Sequence, residues 1–146
     1  MTAVTDTLLV FSYICYMETP KTYEQGIHYN DLHEDHKNWI AELEFNKEEI
    51  HFFQKLLEKS AADLVQKGKA ALVEQFQNRF ILKLEKIDIY QHEIRAAENK
   101  LTEFIKTHQN NIAFITFSDH KKWKDQMATH RKIYAELKQE FFNVVR

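Results

Sequence analysis

Over residues 73–104 hydrophobic side chains return every seven positions: Val73, Phe80, Ile87, Ile94 and Leu101 form one row. Phe76, Tyr90, Ala97 and Phe104 follow three residues after most of them. Positions three, four and seven apart share one face of a helix, so this spacing predicts an amphipathic helix with a coiled-coil seam. Lys83 is the one charged seam residue. The neighbouring Leu84 is expected to take over its packing while the lysine reaches outward along its aliphatic stem.

Two further segments carry the same period. Between residues 39 and 64 the stripe is Trp39, Leu43, Ile50, Phe53, Leu57, Ala61 and Leu64, interrupted by the polar Asn46. A second row, Phe45, Phe52 and Leu56, lies more than a right angle away at about 100° per residue, so this helix has two faces to bury. Near the C-terminus the seam is His120, Trp123, Met127, His130, Tyr134, Leu137, Phe141 and Val144, and Phe142 and Val145 widen it at the far end. That seam begins polar and ends apolar.

Helix breakers divide these patterns. Only two Gly and one Pro occur in 146 residues, far below average usage, so Pro20, Gly26 and Gly68 set most of the segmentation. Residues 1–29 read as an irregular lead-in. Asn30 or Asp31 is placed to cap a first helix over about residues 30–66, with Glu34 and Asp35 complementing its dipole. Lys67, Gly68 and Lys69 close it, the glycine taking positive φ. A second helix follows over residues 70–107, roughly 55 Å long at 1.5 Å per residue. Residues 108–117 read as an extended loop whose Ile112, Phe114, Ile115 and Phe117 tuck under the bundle end. Ser118 or Asp119 then caps a third helix over residues 118–146. Short connections make sequential helices antiparallel. The expected architecture is all-α: an up-down-up three-helix bundle with long, coiled-coil-like helices.

Composition narrows the function. The formal charge of −2 offers no attraction to nucleic acid or to a membrane surface. The apolar stretch at residues 8–17 (LLVFSYICYM) is about half the length needed to span a bilayer. It also lacks the basic flank and cleavage site of a signal peptide. The expectation is an apolar strip that packs on the bundle or stays disordered; the sharper alternative is that translation begins at Met17 and residues 1–16 are not native. A single cysteine, Cys15, excludes an intrachain disulfide framework and suits a reducing cytoplasm. Two glycines cannot build a phosphate-binding loop, and Cys15 has no histidine placed near it to activate a nucleophile.

The segments HYNDLHEDHKNWIAELEFNKEEIHFF, EQFQNRFILKLEKIDIYQHEI and FSDHKKW, followed by KIYAELKQEFF, resemble a family of short, all-helical, coiled-coil-like bacterial proteins with no assigned activity. The resemblance spans residues 17–146 and implies a cytoplasmic bacterial bundle. It carries over no ligand and no catalytic residue.

Two functional classes follow. The first is a non-enzymatic helical interaction or scaffold module that binds a protein partner or its own copies. Phe45, Phe52, Leu56, Phe142 and Val145 are the contact residues, because three helices have difficulty covering all of them. The second is a metal-binding sensor or metal-dependent protein. An up-down-up topology gathers His28, His33, His36, His108 and His120 at one end with Asp31, Glu34, Asp35 and Asp119, a ligand set for zinc or iron. Against it, histidines at helix ends also cap backbone groups or face water. The chain also has a single Glu-x-x-His pair, Glu48 with His51, where di-iron bundles use two. No cofactor is expected under the first class. His120 and His130 on the third seam suit either a pH switch or hydrogen bonding to a neighbour at the seam edge.

Overall fold

The computed structural model describes residues 29–107 and 115–146. They form three helices, α1 (Tyr29–Gln66), α2 (Ala70–Thr107) and α3 (Ile115–Val145), and no strand occurs among the described residues. The apolar strip at residues 8–17, Cys15, Pro20, Gly26, His28, His108, Ile112 and Phe114 lie outside them.

The side-chain pairs across the helices fix the topology. From α1 to α2, partners run in opposite senses: His36 meets Glu98, Lys47 meets Asp88, and Phe53 meets Phe80. From α1 to α3 they run in the same sense, Asp35 to His120, Glu42 to Arg131 and Phe53 to Phe141. Between α2 and α3 they are again opposed, Tyr90 to Trp123 and Phe80 to Phe141. The bundle is therefore up, down, up.

The heptad rows become the core. Val73, Phe80, Ile87, Ile94 and Leu101 are all buried, as are Trp39, Leu43, Ile50, Phe53, Leu57 and Leu64 opposite them. At the closed end Phe53, Phe76, Phe80 and Phe141 form an aromatic knot with ring centroids 5.1–6.1 Å apart. Such pairs add to burial through edge-to-face contact.

The turn between α1 and α2 satisfies its carbonyls as a Schellman motif. Lys69 N–H donates to the Leu64 carbonyl at 2.8 Å and Gly68 N–H to that of Val65 at 3.0 Å. Gly68 sits at φ 74°, a conformation that costs a residue with a Cβ about 1 kcal/mol or more.

Three local expectations are corrected. Helix α1 begins at Tyr29, which places Asn30 and Asp31 inside its first turn rather than at the cap. Helix α3 begins at Ile115, so residues 115–117 are helical rather than extended and Ser118 and Asp119 do not cap it. Nothing in Ile115-Thr116-Phe117 stops a helix; β-branched and aromatic residues lower propensity only by about half a kcal/mol each. Lys83 does not reach outward: it is buried, at 9% exposure, while Leu84 packs against the core beside it.

Candidate functional site

At the end of the bundle where α1 begins, three histidines are tied to carboxylates. His33 and His36 stand one turn apart on α1, and both direct Nδ1 at Glu98 of α2. The His36 bond is 2.6 Å, in the range of a charge-assisted hydrogen bond. Burial alone would raise the Glu98 carboxyl, but the bonds from His36 and then His33 outweigh it and hold the group below the usual carboxylate range. On the other flank of α1, Asp35 Oδ2 lies 3.0 Å from His120 Nε2 on α3. Burial pushes the His120 imidazole down, and the Asp35 carboxylate offsets only part of that. The His120 ring stacks on Trp39 at 5.1 Å. One turn of α1 therefore clamps both other helices.

Beside this clamp opens a cavity of about 410 Å³ walled by Leu32, His36, Ala97, Leu101, His120 and Trp123. Ala97 occupies a row that elsewhere carries Phe76, Tyr90 and Phe104, and its small side chain leaves the space. The cavity expected under the metal reading is thus present, with His36 and His120 in its wall. Among the described residues no group of three or more His, Cys, Asp or Glu is placed to hold a metal ion. His33 and His36 share one carboxylate and His120 uses another, so these three do not fit a tetrahedral set. His28 and His108 lie outside the described residues. His51, of the single Glu-x-x-His pair, is exposed and bonds Gln54 on its own helix.

Halfway along the bundle lies a buried polar layer. Asn46 Nδ2 donates to His130 Nε2 at 3.0 Å, which assigns the His130 proton to Nδ1. That atom is buried without a partner among the described residues. Burial, followed by the charge of Lys83, pushes the His130 imidazole down to about 4. Tyr134 donates from its hydroxyl to Glu49 at 2.7 Å, and burial followed by that carboxylate pushes the phenol up. Lys83 completes the layer, its amine 5.8 Å from the Tyr134 ring centroid. Burial pushes it down to about 8. Each seam histidine thus has a partner at Nε2, Asp35 for His120 and Asn46 for His130, while Nδ1 of each is buried without one among the described residues. Their downward displacement takes His130 out of the range where a neutral-pH switch operates.

The surface holds the remaining candidates. Of the five proposed contact residues, Leu56, Phe142 and Val145 pack partly against the core, with Phe142 edge-on to Phe53 at 5.3 Å. Phe45 and Phe52 stay 66% and 60% exposed. Five more apolar side chains outside the heptad rows are exposed: Val65 on α1, Ile81, Leu82 and Ile89 on α2, and Ile133 on α3. Each lies off its helix's seam, and that offset is the signal that could have found them. Leu82 and Ile133 flank a shallow groove of about 310 Å³ between α2 and α3, which Lys83, Lys86, Tyr90 and Leu137 also line.

No family model matches the chain, and no curated protein or solved structure matches it. Among the described residues no helix is long and apolar enough to cross a membrane.

Proposed function

We propose that this protein is a helical interaction module, a bundle that works by presenting helix faces to another protein chain rather than by chemistry. The observation that carries this reading is the pair Phe45 and Phe52. Two large aromatic rings two turns apart on one face of α1 remain mostly in water, although the bundle core is complete without them. Burying a phenylalanine side chain is worth about 1.5–3 kcal/mol. A face that leaves two unburied, with Leu82, Ile89 and Ile133 exposed elsewhere, has the composition of a contact surface.

The histidine–carboxylate clamp has a structural role in this reading. It joins α1 to both partners where the aromatic knot does not reach, and so keeps the helix faces rigid. Rigid presentation lowers the ordering cost of association. A bacterial cytoplasmic setting agrees with the single cysteine and with the resemblance described above.

The test is lysine-directed cross-linking in the cells that make the protein, comparing the wild type with the Phe45→Ser/Phe52→Ser double variant. Association through this face gives adducts heavier than the monomer in the wild type and loses them in the double variant. Adducts absent from the wild type, or unchanged in the variant, overturn the reading.

A further inference from the structure

Two exposed faces of this chain are complementary to each other, and they lie on different sides of the same molecule. On α1 the outward sequence is Phe45, Glu48, Phe52, spaced three and then four residues. On α2 it is Leu82, Lys86, Ile89, spaced four and then three. Set antiparallel, the two read across without a gap: Phe45 opposite Ile89, Glu48 opposite Lys86, and Phe52 opposite Leu82. Apolar meets apolar at both ends, and a carboxylate meets an ammonium between them. Each trio falls within about a 60° arc of its helix at 100° per residue, so each is one face.

The two faces do not meet within one chain. Phe45, Phe52, Leu82 and Ile89 are 66%, 60%, 64% and 52% exposed, and α1 and α2 pack through other residues, such as Leu43, Ile50, Phe80 and Ile87. Glu48 and Lys86 form no ion pair among the described residues. Lys86 instead lies over its own Tyr90 ring, 5.2 Å from the centroid. The α2 face also borders the shallow groove toward α3, whose charged lining is Arg79, already paired with Glu140 of α3, and Lys83 and Lys86, which have no carboxylate among the lining residues. A positive, apolar groove calls for an acidic, apolar helix, and α1 supplies one in the same chain.

We propose that copies of this protein associate through these two faces, the Phe45–Glu48–Phe52 face of one copy seating on the Leu82–Lys86–Ile89 face of the next, with Phe52 entering the groove beside Ile133. This rests on the reading of the protein as an interaction module and names a second copy as the partner. The proposed pairing is within one residue of the register that α1 and α2 already use within the chain, where Lys47 faces Asp88 and Glu44 faces Gln91. Neighbouring copies therefore lie side by side with their helices level. The contact is heterologous, because it joins two different surfaces. A dimer leaves one surface of each kind open, so association continues past two copies.

Sedimentation velocity on the full chain tests this, with the variants Glu48→Lys, Lys86→Glu and the two combined. The wild type is expected to show a mass that rises with concentration and exceeds that of a dimer. Each single charge reversal is expected to move the association midpoint about tenfold higher in concentration, the effect of placing like charges opposite each other. The combined reversal is expected to bring it back toward the wild type. Both charged positions are on exposed helix surface, and circular dichroism checks that each variant folds. A wild type that is monomeric at every concentration overturns the self-pairing, as do single reversals without effect or a combined variant no better than the singles. Such a result leaves the wider interaction reading to the cellular cross-links, where an adduct with a different protein supports that reading and counts against a second copy.

Discussion

The amine of Lys83 lies 5.8 Å from the centre of the Tyr134 ring, and among the described residues it forms no ion pair with any carboxylate. A heptad position has been given to a cation, which is mostly buried and lines the shallow groove between α2 and α3. The ring face returns part of the desolvation cost. The remainder is visible in the amine itself, which burial lowers from 10.5 to about 8.

Lys83→Met should therefore stabilise the protein, by about 1–3 kcal/mol at pH 7, since a thioether of similar length fills the space without a charge. The sign with pH is defined. The folded-state value is below the unfolded one, so the wild type gains stability as pH rises from about 8 to 10.5. The advantage of the methionine variant should shrink over the same window in urea titrations. A methionine variant less stable than wild type at pH 7 would show that the amine has a partner.

His130 gives the acid side of the same layer. Its folded value of about 4 lies below the ordinary 6.5, so the unfolded chain takes up a proton that the native state refuses. The associated stability is complete above 6.5 and is lost as pH falls toward 4, by up to about 1.4 kcal/mol per pH unit. His130→Gln keeps an acceptor for Asn46 and removes the titration. Denaturation series between pH 6.5 and 5 should show a shallower loss in that variant than in wild type.

Glu98 should matter in the opposite sense. Its carboxyl is depressed below 4.5, so its contribution is present above that value and disappears as pH falls through the folded value. Glu98→Gln preserves shape and removes the charge that His36 and His33 share. A loss of about 1–3 kcal/mol is expected at neutral pH, closing as pH falls through the folded-state value of the carboxyl. An equal deficit above and below that value would mean that shape, rather than charge, holds the clamp.

The heptad rows were legible because a seven-residue period has one helical solution at this length, and every residue of the row from Val73 to Leu101 is buried. Ile87 is wholly buried at its centre, and Ile87→Asp should abolish the cooperative melt. Polar positions were less legible. A period says which face a residue occupies, not what stands across from it, so it reveals neither the burial of Lys83 nor Glu98 as the partner of His33 and His36. Counting outward from Gly68 places Glu98 within one turn of the level of His36, because the two helices pair in one antiparallel register. The start of α3 at Ile115 is hidden in the sequence because Ser118 and Asp119 have the residue types of caps, while Ile115, Thr116 and Phe117 before them carry no breaker.

Whether two copies meet face to face through α1 and α2 is most directly tested by a photoreactive amino acid placed at position 45 in the full chain, with the cross-linked peptides mapped by mass spectrometry. Self-pairing in the proposed register requires the adduct to join position 45 of one copy to the stretch around Ile89 of another. Adducts only to other proteins, only to distant parts of the chain, or none at all would contradict it.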